Sequence, residues 1–197
     1  MDCDGDDVAG TRRGRPRQPE IDERITAAAY ELLRNGGPNA VNIDAVASAC
    51  GVARTTIYRR YDSREQLLGT ILDQIVEEPF DPPEESLEGQ LHWALRRVRV
   101  LLEEGLGRGG TAAVLADTDP EFTDALQRRL QGALTELKDE IAAGVEAGRL
   151  AADVDPDALV GAVFGAYLAE VLQHSEPRPG WEDRTVALLL SGIAPSG

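Results

Sequence analysis

Residues 42–61, NIDAVASACGVARTTIYRRY, constrain the fold of this chain most, because they specify two short helices joined by a tight turn. Asn42 is a suitable N-cap, since its side-chain oxygen can accept a hydrogen bond from a free backbone N–H of the first turn. The apolar residues that follow recur at helical spacing: Ile43, Val46, Ala47 and Cys50. Gly51 then suits the left-handed conformation in which many helices end, and Val52 can pack into the corner.

The second helix, predicted over residues 53–59, differs from the first in what it presents outward. Ala53 and Ile57 are four residues apart, and we expect them to share the inner face. The residues left on the outer face are hydrogen-bonding or cationic: Arg54, Thr55, Thr56, Tyr58 and Arg59. Base edges and phosphates in the major groove of DNA are bound by such groups. We therefore expect a helix-turn-helix whose recognition helix is formed by residues 53–59.

The charge of the chain is unevenly distributed along the sequence. The net charge of −15 would by itself disfavour a nucleic-acid partner. Residues 11–64, however, hold ten arginines against six acids, a balance of +4, whereas residues 65–197 carry −15. The basic part coincides with the predicted helix-turn-helix, and phosphate repulsion would hold the acidic remainder away from DNA. This division favours a two-domain regulator over a uniformly basic coating protein.

Residues 1–19 are rich in Asp, Gly, Arg and Pro and lack periodicity, which predicts a disordered arm. Within it, Arg13, Arg15 and Arg17 belong to the compact cationic stretch RGRPR. Such a stretch can enter a narrow A·T-rich minor groove, as the core of an AT-hook does. The alternative is a solvated basic tail that adds only salt-sensitive affinity. Both interpretations place the three arginines on DNA.

Helical periodicity and helix-breaking residues predict an all-α chain of about nine helices without strands. The clearest linker is the segment 79–85, which is rich in Pro and Glu, and we place a domain boundary there. The predicted order is the arm (1–19), a three-helix helix-turn-helix DNA-binding domain with a connecting helix (20–78), and a helical ligand-binding and dimerisation domain (86–197). The stretch GLGRGG at 105–110 follows no strand, so we expect a flexible loop there and not a dinucleotide-binding turn.

Arg64 is predicted to lie in the first turn of the connecting helix, where the helix dipole disfavours a cation. An anion docked at this helix start would compensate, and a DNA phosphate is the candidate. The alternative is an ordinary exposed arginine.

The helix predicted over residues 156–174 is apolar on most of its faces and unusually rich in Gly and Ala. A helix of this kind must be buried on most sides, which in a chain of 197 residues suggests burial against a second subunit. The candidate dimer-interface residues, on this helix and the last one, are Gly161, Gly165, Leu168, Ala169, Leu172, Trp181 and Leu189. The alternative is that the small residues pack within one subunit.

A ligand cavity is a weaker prediction, since ligand pockets and ordinary cores are lined by the same residue types. The candidates, all on helices that can enclose a cavity, are Trp93, Arg97, Phe122, Leu126 and Phe164. Aromatic and aliphatic residues at helical spacing also form plain core, and this alternative stays open for each of them.

Several function classes are disfavoured by the sequence. The longest apolar run is far shorter than the roughly 20 residues that span a bilayer, and no signal peptide opens the chain, so we expect a cytoplasmic protein without a membrane partner. The two cysteines form no disulfide framework, and His92 and His174 lie far apart without a nearby cysteine, so we expect no metal site. No nucleophile–base context is present, so we expect neither an enzyme nor a cofactor.

The chain resembles the TetR family of bacterial transcriptional regulators. The resemblance is carried by ITAAAYELLRNGG and VNIDAVASACGVARTTIYRRYDSREQLL, with the A-x-x-x-G-V-x-x-x-T-x-Y spacing followed by a capped R-E-x-L-L. The later stretches DPEFTDALQRRL and AGRLAADVDPDALVGAVFGAYL look like one subclass of TetR ligand-binding domain. One departure is Val41, where many relatives have Thr before the cap.

The resemblance implies an all-helical homodimer whose two recognition helices enter successive major grooves of a near-palindromic operator, about 34–36 Å apart. Most such proteins repress and release DNA when a small molecule enters the C-terminal domain. The outer residues of helix 53–59 would then face DNA together with Asn42, while Arg60 and Arg64 would contact phosphates and Tyr61 would be a core aromatic. The alternative is a DNA-binding regulator controlled by a protein partner or without any effector.

Overall fold

The computed structural model describes residues 19–76 and 86–194, which form nine α-helices, a short 3-10 turn and a π-helical segment. No strand occurs within these two ranges, in agreement with the predicted all-α class. The bounds in chain order are α1 Pro19–Gly36, the 3-10 turn Pro38–Ala40, α2 Ile43–Cys50, α3 Arg54–Tyr58, α4 Arg64–Val76, α5 Leu87–Val100, the π-helical segment Leu101–Leu106, α6 Gly107–Ala116, α7 Pro120–Glu146, α8 Pro156–His174 and α9 Trp181–Ile193. The predicted arm with Arg13, Arg15 and Arg17, and the predicted linker 79–85, lie outside the described residues.

Helices α1–α4, here called the N-terminal bundle, close around one apolar core. Both predicted ends of α2 are confirmed. Asn42 Oδ1 accepts a hydrogen bond from Ala45 N at 2.9 Å at the start, and Gly51 is left-handed with φ 65° and ψ 29° at the end. Val52 is buried in the corner, as expected. At the start of α4, Ser63 Oγ accepts from Gln66 N at 3.2 Å, which caps that helix. The turn from α2 to α3 thus depends on left-handed Gly51 and buried Val52, and the caps mark where α2 and α4 begin.

Helices α5–α9, here called the C-terminal bundle, pack α5 against both α8 and α9, while the long α7 packs against α8 and against α4. Tyr167 on α8 and Trp181 on α9 are buried and meet edge to face, with ring centroids 6.1 Å apart. Burial and the neighbouring Glu103 carboxylate raise the pKa of Tyr167 to about 12, and its hydroxyl donates to Glu103 at 3.1 Å. Within the described ranges, no helix is long and apolar enough to cross a membrane.

The glycine-rich stretch 105–110 is not the flexible loop that we predicted from its composition. Gly105 lies within the π-helical segment, and Gly107 and Gly109 lie in the first turn of α6, which packs on the C-terminal end of α1. A Cβ on Gly107 would lie 2.5 Å from Arg34 Cα, and one on Gly109 would lie 2.4 Å from Gly37 N. Gly107 also has a positive φ of 64°. The glycines are required because two backbones touch here, and this contact joins the N-terminal and C-terminal bundles.

Candidate DNA-binding surface and effector cavity

The outer face of α3 carries the residues predicted for DNA contact. Arg54, Thr55, Tyr58 and Arg59 are exposed, and Thr56 is half-buried. Tyr58 keeps 54% of its surface accessible, whereas the other described tyrosines are at least half-buried.

This face is held in place by two inward anchors. Ile57 is fully buried and Tyr61 is 8% exposed, so the prediction that Tyr61 is a core aromatic is confirmed. The expectation that Ala53 shares the inner face with Ile57 is wrong: Ala53 is exposed and occupies the N-cap position, where the chain is still extended. A helix of five residues therefore depends on Ile57 for its attachment to the core.

The charged groups on this face differ in how they are partnered. Arg54 Nε lies 2.7 Å from Asp44 Oδ1, and both side chains are well exposed. Arg59 has no ion-pair partner among the residues that the structure describes. Both guanidinium groups are thus accessible on the same side of the helix-turn-helix, one of them held by a carboxylate.

Arg60 is bound within the chain. Its Nε pairs with Asp22 on α1, its Nη1 donates to the carbonyl of Thr56 at 3.3 Å, and only 14% of its side chain is exposed. These contacts argue against the phosphate contact that the family resemblance implies for Arg60. Their effect is to tie the end of α3 to α1.

Arg64 is likewise bound within the chain and does not wait for a DNA phosphate. Its guanidinium donates to Val41 O at 2.8 Å, to Pro38 O at 2.7 Å and to Asp119 Oδ2 at 2.7 Å. Asp119 also caps α7 by accepting from Phe122 N at 3.1 Å. Burial raises the pKa of the Asp119 carboxyl, but the hydrogen bonds from Arg64 and Phe122 N outweigh it and hold the pKa below its usual value. The anion that we expected at this helix start is therefore a carboxylate of the C-terminal bundle.

The C-terminal bundle contains a cavity of about 380 Å³ between α5, α7 and α8, closed on one side by the end of α4. Trp93, Arg97 and Phe164 line it, as predicted for ligand-binding residues. Phe122 and Leu126 do not line it: they are 3% and 1% exposed and belong to the core between α4 and α7. Most other lining residues are Leu, Ile and Val, and the polar exceptions include Gln90, Glu140 and Arg149. The arrangement is an apolar chamber with a few hydrogen-bonding and charged groups.

The predicted dimer-interface residues fall into three groups by exposure. Gly161, Gly165, Ala169 and Leu172 are exposed on one face of α8, Leu172 with 86% of its surface accessible, while Leu168 and Leu189 are half-buried. A Cβ on Gly161 or Gly165 would meet nothing within 4 Å. Trp181 is 4% exposed and packs on Tyr167 of its own chain, so its assignment to an interface is corrected to core. An aromatic residue at a helix start carries no signal in the sequence that separates these two roles.

Two groups near the predicted DNA-binding face were missed from sequence. Asp44 lies ten residues before Arg54, and Arg24 on α1 donates to the carbonyl of Cys50 at the end of α2. Asp44 lies in the first turn of α2, where the helix dipole alone favours an acid. Nothing in the sequence therefore indicated that Asp44 pairs with Arg54.

Two family models match the chain. Residues 25–71 match the model described as bacterial regulatory proteins, tetR family, and residues 81–189 match the model described as tetracyclin repressor-like, C-terminal domain. The second match alone spans more than half of the 197 residues.

Individual proteins agree with these models. The chain is 26% identical over 176 residues to the uncharacterized HTH-type transcriptional regulator YdeS of Bacillus subtilis, covering 82% of this chain and 83% of that protein. A transcriptional regulator of Saccharomonospora viridis, solved in complex with choline, superimposes with a TM-score of 0.67 at 19% identity, covering 91% of this chain and 100% of that one. The regulator FadR of Bacillus subtilis, solved with stearoyl-CoA, gives a TM-score of 0.64 at 18% identity, covering 87% and 99%. At these identities the solved structures establish a shared fold.

Proposed function

Since the chain belongs to the TetR family of bacterial regulatory proteins and is a DNA-binding transcriptional regulator, we propose that it is a repressor that binds a palindromic operator as a homodimer and releases it when a small molecule binds. The observation that carries this proposal is the outer face of α3, where exposed donors stand on a helix anchored by Ile57. Arg54, Thr55, Thr56, Tyr58 and Arg59 are the proposed DNA contacts.

We place the three roles on different parts of the chain. In this proposal the N-terminal bundle is the DNA-binding domain, with α3 in the major groove, and Asn42 lies beside it at the start of α2. Arg13, Arg15 and Arg17, which lie outside the described residues, are proposed as further DNA contacts. Arg60 and Arg64 are left out of the DNA-contacting set, because their guanidinium groups are bound to Asp22 and Asp119.

The proposed homodimer rests on the exposed apolar face of α8. This face is uncharged and carries small residues, with one bulky side chain at its end: Gly161, Gly165, Ala169 and then Leu172. Leu188 on α9 is also 72% exposed. A second copy of the same face would cover it, and the small residues would let two helices approach closely. Two-fold pairing would also present two copies of α3 to successive half-sites of a palindrome.

The proposed effector site is the cavity between α5, α7 and α8. A chamber of about 380 Å³ lined mainly by aliphatic side chains fits a largely apolar small molecule, and Arg97, Gln90 or Glu140 would orient its polar end. Two regulators with the same fold were solved with choline and with stearoyl-CoA, which supports a ligand in this bundle without identifying it. Release requires the ligand to bind more tightly to the conformation that cannot engage DNA.

Two measurements test the proposal. DNA footprinting on sequences selected from a random duplex library should show protection of two half-sites about one helical turn apart, roughly 34–36 Å. Protection of one isolated half-site, or none, would contradict dimeric operator binding. A thermal-shift screen of acyl and quaternary-ammonium compounds should then find a ligand that stabilises the protein and dissociates the complex.

A cavity-filling variant shows whether that ligand acts at the proposed site. Ala133→Phe adds bulk to the cavity wall on α7, and Ala143→Phe adds the same bulk to an exposed position of α7 outside the lining. Only Ala133→Phe should lose the response while keeping operator binding. Operator binding that no tested compound alters would favour control by a protein partner, or a regulator without an effector.

A further inference from the structure

A carboxylate lies on the surface that is proposed to meet DNA. Asp44, in the first turn of α2, places Oδ1 2.7 Å from Nε of Arg54, the first residue of α3. The side chains are 61% and 64% exposed, so the pair stands in solvent on the outer side of the helix-turn-helix. A carboxylate at this position would be repelled by the phosphates that surround a bound recognition helix.

Stability does not account for the ion pair. An exposed pair of this kind contributes little to stability, because solvent screens it and ordering two long side chains costs entropy. The favourable position of an acid near the start of α2 would be satisfied by Asp44 without any contact to Arg54. The contact instead lies between the two helices of the motif, across the turn at Gly51, and it limits the directions in which the guanidinium can point.

The contact with Asp44 leaves part of the Arg54 guanidinium free to bind DNA. Arginine presents five N–H groups in a planar fork, and the Asp44 carboxylate is placed on Nε. The two terminal amino groups have no hydrogen-bond partner among the described residues. A pair of parallel donors is what recognises O6 and N7 of guanine in the major groove. An arginine that is already in contact through Nε has less rotamer freedom left to lose on binding.

We propose that Asp44 is a specificity-determining positioning residue: it holds Arg54 through Nε so that the terminal amino groups of Arg54 read a guanine in each operator half-site. Asp44 itself touches no base. The inference rests on the proposed function, because it requires α3 to lie in the major groove.

If Asp44 has this role, replacing it should change the affinity for random DNA and the preference for the operator in opposite directions. Asp44→Asn removes a negative charge from the DNA-binding face, so binding to random duplex should strengthen. The same change releases Arg54, so the preference for the selected operator should weaken. We expect the ratio of operator to random-duplex affinity to fall about tenfold, which corresponds to about 1.4 kcal/mol.

The experiment measures dissociation constants by fluorescence anisotropy on the selected operator and on a scrambled duplex of equal length, at one salt concentration. Asp62→Asn is the matched control, since Asp62 is exposed in the same bundle, carries the same charge and has no ion-pair partner among the described residues. This control should alter both affinities by a common factor and leave the ratio unchanged. Thermal melting should be nearly the same for the parent and both variants.

A double variant separates positioning from a general charge effect. Once Arg54→Ala has removed the reading group, Asp44→Asn should cause no further loss of discrimination, because the two changes act on one interaction. Equal strengthening on both duplexes in the Asp44→Asn single variant would overturn the positioning role. A parent protein that shows no sequence preference would overturn the proposed function itself, so the two failures are distinguishable.

Discussion

At the scale of single residues, the environment of each arginine decides what it can do. Arg54 and Arg59 are exposed on α3, whereas Arg60 and Arg64 are largely covered and bound to carboxylates of α1 and α7. The internal contacts of Arg60 and Arg64 tie helices of the protein together, which is why we do not include them among the proposed DNA contacts. Their charge offsets Asp22 and Asp119 and contributes little to the field that DNA meets.

Arg54→Ala is expected to weaken operator binding by about 1–3 kcal/mol and to relax sequence preference, since a bidentate base contact is lost. The measurement compares operator and random duplex by anisotropy. Arg128→Ala, at an exposed position on α7, is the control for loss of one positive charge and should leave the preference intact. Equal losses on the two duplexes would contradict a base-reading role for Arg54.

His92 makes stability depend on pH at the contact between α5 and α9. The hydrogen bond with Asp183, 3.0 Å from Nε2, raises the pKa of His92 above its usual value of 6.5, more than burial lowers it. The protonated imidazole is thus favoured by folding, so its contribution is complete below about pH 6.5 and is lost as pH rises through the higher folded-state pKa.

His92→Gln should therefore remove a pH-dependent part of the free energy of unfolding, and we expect less than about 1 kcal/mol because Asp183 is 79% exposed. Urea unfolding at pH 6 and pH 8 measures it. The difference in stability between parent and variant should be larger at pH 6. A difference that grows towards pH 8 would show that the sign of this linkage is wrong.

At the scale of elements, features that depend on residues close together in the sequence could be predicted, whereas contacts between residues far apart in the sequence could not. The Asn42 cap, the Gly51 turn and the burial of Ile57 each depend on residues a few positions apart, and all three are as predicted. Arg64 and Asp119 are 55 positions apart, and nothing in the spacing of either reveals the other. The glycines at 105–110 were misread for the same reason, since their partner is the end of α1.

Gly109→Ala should destabilise the protein by about 1–3 kcal/mol or more, because its Cβ would lie 2.4 Å from Gly37 N and 2.8 Å from Leu33 O, both backbone atoms. Gly132→Ala, at a helix-interior site on α7 with nothing within 4 Å of the new Cβ, should stabilise by about 0.5–1 kcal/mol. Urea unfolding of the two variants provides the comparison. If Gly109→Ala were as stable as the parent, the two backbones would not be in the close contact described.

At the scale of the whole molecule, the exposed face of α8 is the proposed contact with a second copy of the chain. Gly165→Leu should produce monomers that fail to bind a two-half-site operator, because a bulky side chain would separate two closely packed copies of α8. Gly132→Leu is the matched control, a glycine with equally open surroundings on α7 that lies outside the predicted interface. Sedimentation measures the oligomeric state. A dimeric Gly165→Leu protein would rule out close packing through this residue.

The contact of Gly107 and Gly109 with residues 33–37 limits how this regulator can be rebuilt. Transplanting helices α1–α4 onto the C-terminal bundle of another protein would separate α1 from α6, whose contact requires residues without side chains at 107 and 109. A working chimera would have to carry both glycine-bearing segments, 33–37 and 105–110, as one unit taken from the same parent. Because Arg64 also binds Asp119, the crossover for such a graft lies beyond residue 119, although α4 ends at Val76.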